Sequence, residues 1–563
     1  MRQALAGMLW SKQYFFYDVL SIASKDMQEY NGIVPGMLLR WDRQFLAMAS
    51  VMLLLLVGGC ASLPTDIERP QSHFVKETSG TRLGRDIEPA VAKHPGLSGF
   101  HALSEGTDAF AARYFLVQSA EKTIDIQYYI WHDDMTGKVL YNQLLHAADR
   151  GVRVRLLLDD LDTAGKDEML HIIDAHPNIE IRLFNPFANR SRRGGDYLTD
   201  TSRINHRMHN KTLTVDDQAT IFGGRNIGDE YFDAEQEVGF SDMDALAIGP
   251  VVSEVSEQFD LYWNSQWAYP LSAFKQDKPV QTSQIEAFRQ QSDAFLETAK
   301  SSPYADALRA LKMAKLPGVA ELDYSWGSWK LVYDQPGKVE AKEVKKGTHL
   351  APTLKEAMDN TKSELIIVSP YFVPGSNFTK YLVGLVQSGK TVRIMTNSLG
   401  ASDVSLVHAG YMRYRKDLIK GGVELYEFKA IKEGPEEKEK EEEEKATSSW
   451  VGSSRASLHG KYFGFDRRYV FIGSFNLDGR SVALNTELGV FFESPKYGQM
   501  LAEAFEKRAI QKGYRVLLND KGDLQWVTME NGREIRFDHE PDTGFWKRFG
   551  AGFLSIFVPE SQL

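Results

Sequence analysis

Two histidines, each with a lysine two positions on, are the side chains whose types and spacing can do chemistry: His209 with Lys211, and His459 with Lys461. In an extended strand, residues two apart point to the same side, so each pair presents an imidazole and an ammonium on one face. The lysines suit an anion. A neutral imidazole can attack phosphorus, and a protonated one can release the leaving alcohol and later act as base for the incoming one. The doubled set is therefore suited to exchange at a phosphodiester through a phosphohistidine. The symmetry of the two pairs offers no way to choose which histidine attacks.

Each pair belongs to a longer pattern. Asp216 and Asp466 follow the lysines by five residues, Gly223 and Gly473 come seven later, and Asn226 and Asn476 three after those. Glu237 and Glu487 follow the asparagines by eleven. All six matched positions share an offset of 250 residues, as from 209 to 459. This is an internal duplication. If the two copies pack about a pseudo-twofold axis, they converge on one cleft. Asn226 and Asn476 are then neutral donors to a phosphate, where fixed donors stabilise developing negative charge. Glu237 and Glu487 are expected to bond the imidazoles and set their tautomers. The glycines permit tight turns and close backbone approach. Ser474 precedes the second asparagine by two, where the first copy has Gly224. Asp216 and Asp466 complete the candidate catalytic motif. A structural role is favoured for them, because a carboxylate in a phosphate site opposes anion binding. His206 is expected to be peripheral.

The elements that must position these residues can be read from periodicity. In the first half, Asp108–Lys122 and Lys138–Arg150 have helical spacing, as does the short run His171–Ala175. Thr123–Trp131, Val152–Leu158 and Ile179–Phe184 read as strands. The second half repeats the order: helices at Thr353–Thr361 and Phe378–Ser388, strands at Leu365–Val368 and Val392–Thr396. Strands alternating with helices predict α/β architecture, two α-β-α sandwich halves with one active site between them. The strand that follows Gly151 matches the one that follows Gly389 at an offset of 238, so the second half gains twelve residues before its histidine. The acidic, lysine-rich run 432–445 accounts for this as a solvated insert. Tyr128, Tyr129, Trp131, Tyr371 and Phe372 follow strands and could line the cleft or fill the core.

The 563 residues exceed one domain by length, and 43% hydrophobic residues leave ample core. The domain reading is 98–281 for the first half, 282–345 for a helical linker and connecting strand, and 346–530 for the second half. A net charge of −10 argues against nucleic acid as the partner. One cysteine, Cys60, excludes an intramolecular disulfide and a cysteine-rich zinc site. No HExxH or EF-hand spacing occurs, so no metal or other cofactor is expected. No feature of the sequence specifies a protein partner.

The ends differ from the middle. Residues 1–36 are mixed and precede a second possible start, Met37. From Met37 a basic stretch, a short apolar run over Leu46–Val57 and small residues before Cys60 read as a signal peptide spanning 37–60. That join resembles a bacterial lipobox, which would make Cys60 the lipidated first residue and 61–97 a tether. The expected address is the bacterial cell envelope, membrane-anchored and facing the periplasm, with inner and outer membrane both open. At the other end (531–563), Phe545, Phe549, Phe553 and Phe557 recur every fourth residue beside Lys547 and Arg548. A helix there would dock on the core or lie in a membrane interface.

The doubled histidine–lysine–aspartate motif resembles the signature of the phospholipase D superfamily. Further stretches narrow the resemblance: Ile124–Gly137, Arg153–Asp160, Arg182–Phe187, Gly223–Phe232, Ser369–Pro374, Met395–Tyr411 and Gly473–Gly489. These are similar to bacterial cardiolipin synthases, and most to the C-type branch, from about residue 98 onward. The resemblance implies transfer of a phosphatidyl group to phosphatidylglycerol, with phosphatidylglycerol or phosphatidylethanolamine as donor. It also implies that the first-motif histidine, His209, is the nucleophile. Rival readings are a hydrolytic phospholipase D giving phosphatidic acid, a nuclease of the same superfamily, and a membrane-tethered scaffold without activity.

Overall fold

The computed structural model describes residues 62–190, 193–194, 196, 200–232, 242–274, 279–299, 318–341, 343–402, 404–430 and 458–557. Cys60, the leader, the acidic run and Glu237 lie outside the described residues.

Two mixed sheets form the framework. The first contains β1 (Ser98–Leu103), β2 (Thr123–Tyr128), β3 (Arg153–Asp159), β4 (Ile179–Phe184), β5 (Thr212–Val215), β6 (Ala219–Gly223), β7 (Asp244–Ile248), β8 (Ala268–Pro270) and β9 (Ser325–Gly327). The second contains β10 (Trp329–Tyr333), β11 (Glu364–Val368), β12 (Thr391–Asn397), β13 (Glu424–Phe428), β14 (Tyr462–Phe465), β15 (Tyr469–Gly473), β16 (Leu488–Glu493), β17 (Gly513–Leu518), β18 (Leu524–Glu530) and β19 (Arg533–Phe537). The strand order β8-β4-β3-β2-β5-β6-β7-β1 is repeated in the second sheet as β17-β13-β12-β11-β14-β15-β16-β10. β9 extends the first sheet, and β18 and β19 extend the second. β2–β3–β4 and β11–β12–β13 run parallel, joined by helices, as crossover connections require.

The anticipated helices are present at Gly106–Ser119, Met135–Asp149 and Asp167–Asp174, then at Leu350–Asp359 and Gly375–Gln387. The first three cover one face of the first sheet and close a core around Phe110, Leu140, Leu144, Ile126 and Leu156. The helix Val251–Trp263 packs on β2, β5 and β7. A separate core around Leu354, Ile367, Leu382 and Phe463 serves the second half.

A further core joins the halves. Phe100, Phe222, Ala245 and Val251 from the first half pack with Ile366, Leu458, Ile472 and Phe492 from the second. Phe100 and Phe492 stack with ring centres 4.3 Å apart. The linker contributes to both sheets: β9 pairs with β1, and β10 pairs with β16, with Ser328 alone between them. The stretch read as a connecting strand is thus shared between the halves.

Candidate active site

Both histidines sit just before a central strand, and the end of another strand of the same sheet fixes each. Asp159, at the end of β3, accepts a hydrogen bond from the backbone N–H of Met208 at 2.7 Å. At the matching place in the second half, Asn397 ends β12 and brackets Leu458. Its Oδ1 accepts from Leu458 N at 3.0 Å, and its Nδ2 donates to Leu458 O at 2.9 Å. Each histidine therefore follows a residue clamped by the strand two places away in its sheet. His209 is also tied across the interface, donating its N–H to Thr486 O at 2.9 Å, while Thr486 N donates to Arg207 O.

The imidazoles exchange partners between halves. His209 Nδ1 lies 2.8 Å from Glu487 Oε2, and His459 Nδ1 lies 2.8 Å from Asp242 Oδ2. An ionised carboxylate can only accept, so Nδ1 then carries a proton in each pair and Nε2 is left for phosphoryl or proton transfer. The reciprocity marks a twofold-type contact. Glu487 is the residue anticipated for this role. Asp242, which reasoning from the sequence missed, holds His459. The strands explain why. β6 pairs with β7 through Gly223 and Asp244, and β15 pairs with β16 through Gly473 and Gly489. Asp242 is therefore the counterpart of Glu487, each two residues before its glycine's partner, and the loop before it is five residues longer than in the second copy. The constant offset pointed to Glu237 instead.

The Gly224–Ser474 difference follows from the same pair. Ser474 Oγ donates to Glu487 Oε2. At Gly224 a Cβ would lie 2.5 Å from Asp242 Oδ1. Aspartate, one methylene shorter than glutamate, holds its carboxylate against the chain where Ser474 has its side chain. Gly223 and Gly473 are excluded from carrying a side chain by their neighbours: a Cβ would meet Asp244 Oδ1 at 2.1 Å and Leu488 O at 2.4 Å.

The lysines lie at the floor. Both are buried. Lys211 Nζ donates to His209 O at 2.7 Å, and Lys461 Nζ donates to His459 O. Lys461 Nζ also lies 3.1 and 3.2 Å from the two ring nitrogens of His459. Burial, and then the Lys211, Lys461 and His459 charges, push the His209 pKa well below its ordinary range. Burial, reinforced by Lys461, pushes Lys211 well down too, against the pull of Glu487. His459 is lowered by burial and Lys461, with Asp242 acting in the opposite sense. A phosphate diester bound here would place its negative charge among these buried cations.

The two carboxylates differ. Burial raises Glu487 to about 7 despite Lys211 and the hydroxyls of Ser474 and Ser481. Asp242 is also buried, but the His459 charge and hydrogen bond, with Arg225 and Lys461, hold it well below the usual carboxylate range. Asn226 and Asn476 are both buried, and the Oδ1 of each lacks a hydrogen-bond partner among the described residues. Rotating either amide by half a turn exchanges oxygen for N–H₂, so each can offer a donor to a phosphate oxygen. Tyr129 and Tyr231 set ring edges against His209 and His459, with centroids 4.9 and 5.0 Å apart. Of the aromatic residues considered from sequence, Tyr129 reaches the site, whereas Tyr128, Trp131 and Phe372 fill the cores. Tyr231 gave no such signal. His206 is peripheral, bonding Ser202 O.

Asp216 and Asp466 are not in the cleft, which corrects their place in the candidate catalytic set. They occupy the turns at the far ends of β5 and β14, roughly 17 Å along the strand from the lysines at about 3.3 Å per residue. Their φ angles are 52° and 53°, a left-handed conformation that aspartate tolerates. Asp216 accepts from the N–H groups of Glu121, Lys122 and Thr123 at 3.0, 2.7 and 2.8 Å. Asp466 accepts from those of Lys362, Ser363 and Glu364. Each aspartate thus ties its hairpin to the start of β2 or β11, the adjacent strand.

A separate group near the cleft rim, His132, Asp134 and Glu230, brings possible metal-ligand atoms within 4.8 Å of one another. Asp134 is already engaged there, accepting from Gly137 N at 3.1 Å at the start of a helix and from Asp229 N at 2.7 Å.

A family model described as "Cardiolipin synthase, PLD-like domain" matches residues 116–263 and 354–509. Cardiolipin synthase C of Escherichia coli (strain K12) is 42% identical over 486 residues, covering 85% of this chain and 99% of the relative. An uncharacterized protein of Helicobacter pylori (strain J99) is 31% identical, covering 92% of this chain and 99% of that protein. Among solved structures, phosphatidylserine synthase of Haemophilus influenzae Rd KW20 superposes with a TM-score of 0.50 at 14% identity, covering 83% of this chain and 96% of that one. That likeness is one of fold.

Proposed function

The chain belongs to the phospholipase D-like cardiolipin synthase family, and on that premise we propose that it is a phosphatidyltransferase that makes cardiolipin. The observation that carries the reading is the reciprocal pairing of each histidine with a carboxylate of the other half, over two buried lysines. This arrangement holds two imidazoles, each oriented through Nδ1, on one anion-binding floor.

In the first step, His209 Nε2 attacks the phosphorus of a donor phospholipid, phosphatidylglycerol or phosphatidylethanolamine. The phosphorus–oxygen bond to the donor headgroup breaks, and His459 gives its proton to the departing alcohol oxygen. The phosphatidyl group is then carried on His209. In the second step, a headgroup hydroxyl of phosphatidylglycerol gives its proton to His459 and attacks phosphorus, and the bond to His209 breaks. Cardiolipin leaves with both histidines restored. Lys211, Lys461, Asn226 and Asn476 bind the phosphoryl oxygens throughout.

The assignment of the attacking histidine has physical support. His209 is held neutral by burial among cations, as a nucleophile must be. His459 is lowered as well, but less far, because an ionised Asp242 opposes burial and Lys461 and so favours the imidazolium needed to protonate a leaving group.

Membrane association accords with the substrate. No helix among the described residues is long and apolar enough to cross a membrane. Anchoring is assigned to a lipidated Cys60, on the short apolar run that precedes it, and places the site on the periplasmic side; labelling with a palmitate analogue tests it.

The deciding experiment is mass spectrometry of products from purified protein with phosphatidylglycerol, alone and with phosphatidylethanolamine. Cardiolipin from wild type and none from His209→Ala supports transfer. Phosphatidic acid alone would replace transfer with hydrolysis.

A further inference from the structure

The helix Phe545–Phe557 ends the described chain and packs on the helix Ser405–Met412. Its packed side carries the buried Ala551, and Lys547 Nζ donates to Gly400 O at 3.3 Å. Its outer side is anomalous. Phe545, Trp546 and Phe549 are 64%, 79% and 58% exposed, and their rings lie edge-to-face or stacked at 5.4–6.3 Å. These three large apolar side chains form one patch, and clusters of this kind mark interaction surfaces.

The patch is held firmly and close to the cleft. The segment leading to it is anchored by Glu540, which pairs with Arg415 in a buried network that includes Glu427. Asp542 and Pro541 lie against Gly400, a position where an added Cβ would be 3.1 Å from Asp542 Cβ. Gly400 belongs to the loop that leaves β12, directly after Asn397. Asn397 in turn clamps Leu458, the residue before His459. One loop therefore separates the patch from a catalytic histidine.

Its chemistry fits a lipid interface. Tryptophan and phenylalanine suit the headgroup–acyl boundary. The helix carries Lys547 and Arg548 and no acidic residue, although the whole chain has a net charge of −10. Lys547 turns to the packed side, so Arg548 supplies the positive charge beside the exposed aromatics, a combination that suits a helix lying in the plane of an anionic surface.

We propose that Phe545, Trp546 and Phe549 form a membrane-docking patch that seats the rim of the site on the phospholipid bilayer from which the headgroups are drawn. The proposal deepens the phospholipid reading above. The bilayer is the occupant, rather than a second protein.

The test uses the full-length protein reconstituted in vesicles of phosphatidylglycerol and phosphatidylethanolamine whose acyl chains carry bromine. The emission of Trp546 is obtained as the difference between wild type and Trp546→Phe. An anchor elsewhere in the chain brings the protein to the vesicle but cannot bury this indole. Blue-shifted difference emission, quenched by about half relative to unbrominated vesicles, is expected for an indole at the interface. Unquenched emission overturns the proposal; unquenched emission that is nevertheless blue-shifted assigns the patch to a protein partner or a second copy. Because the readout needs no turnover, it stands apart from failure of the transferase reading. As a second measurement, Phe545→Ser/Trp546→Ser/Phe549→Ser should lower turnover of vesicle lipid about tenfold, as apolar contact with the bilayer is lost. Equal turnover by wild type and variant on vesicles overturns the proposal.

Discussion

His209 and Glu487 are separated by 278 positions, yet Nδ1 and Oε2 lie 2.8 Å apart. Across the same interface His459 meets Asp242, 217 positions away, at the same distance. Among the described residues, neither His209 nor His459 pairs with a carboxylate of its own half. Orientation of both histidines is therefore a property of the docked halves.

Removing the charge of Asp242 should disable the proposed proton donor. In Asp242→Asn, kcat for cardiolipin formation is expected to fall about a hundredfold or more, the scale of general acid catalysis, with KM within a few-fold. Glu237→Gln should retain kcat within about twofold, because Asp242 already accepts from His459. Initial rates by lipid mass spectrometry compare the two.

Glu487→Gln should alter pH dependence in two ways. The Glu487 carboxyl titrates at about 7 in the fold, against a usual 4.5. Its ionised form stabilises positive charge on His209 during attack, so wild-type kcat should rise through about pH 7. The variant should lack that limb. Stability runs the other way. A raised carboxyl contributes stability fully below pH 4.5 that is lost as pH rises through about 7, on the order of 3 kcal/mol. Wild-type Tm should therefore fall between pH 5 and 8 more steeply than that of Glu487→Gln. Parallel Tm profiles would contradict the assignment.

A serine at position 224 should act through Asp242. Its Cβ would need the space within 2.5 Å of Oδ1, so Gly224→Ser should swing the carboxylate off His459 and lower kcat by about tenfold to a hundredfold. The double variant Gly224→Ser/Asp242→Glu copies the Ser474–Glu487 pair and should recover much of the loss. A double variant no better than the single would show that the two copies are not interchangeable here.

Asp216→Ala and Asp466→Ala should destabilise without disabling chemistry. Asp216 is buried and satisfies three N–H groups. Its loss should cost about 3 kcal/mol, seen as a lower Tm. Asp466 is less buried and should cost less. At a temperature where the variants stay folded, kcat should lie within a few-fold of wild type.

Much of this architecture was legible because duplication is visible in one chain. His209, Lys211, His459 and Lys461 stood out by type and spacing, and the glycines and asparagines by a common offset. Glu487 was legible because its copy happens to obey that offset. Asp242 was not, since five extra residues precede it, and register within β6–β7 rather than chain distance determines its place. The exchange of carboxylates was invisible because it depends on how the sheets dock. For Asp216 and Asp466 the sequence favoured a structural role outside the cleft; the turns that they occupy were not legible, because a left-handed turn conformation leaves no mark beyond the residue type. Tyr231 went unnoticed because it sits in a short turn whose position depends on the loop around Arg225, which donates to Tyr231 O at 3.1 Å.

The join between the sheets carries a last consequence. With Ser328 alone between β9 and β10, and each strand fastened to a different sheet, the two halves are stitched along one edge. Behind that seam the shared core of Phe100, Phe222, Ile472 and Phe492 holds them together. On the proposed mechanism, donor and acceptor take turns at one slot, with the first headgroup gone before the second arrives. On that mechanism, the covalent stage on His209 keeps the phosphatidyl group in place during the changeover.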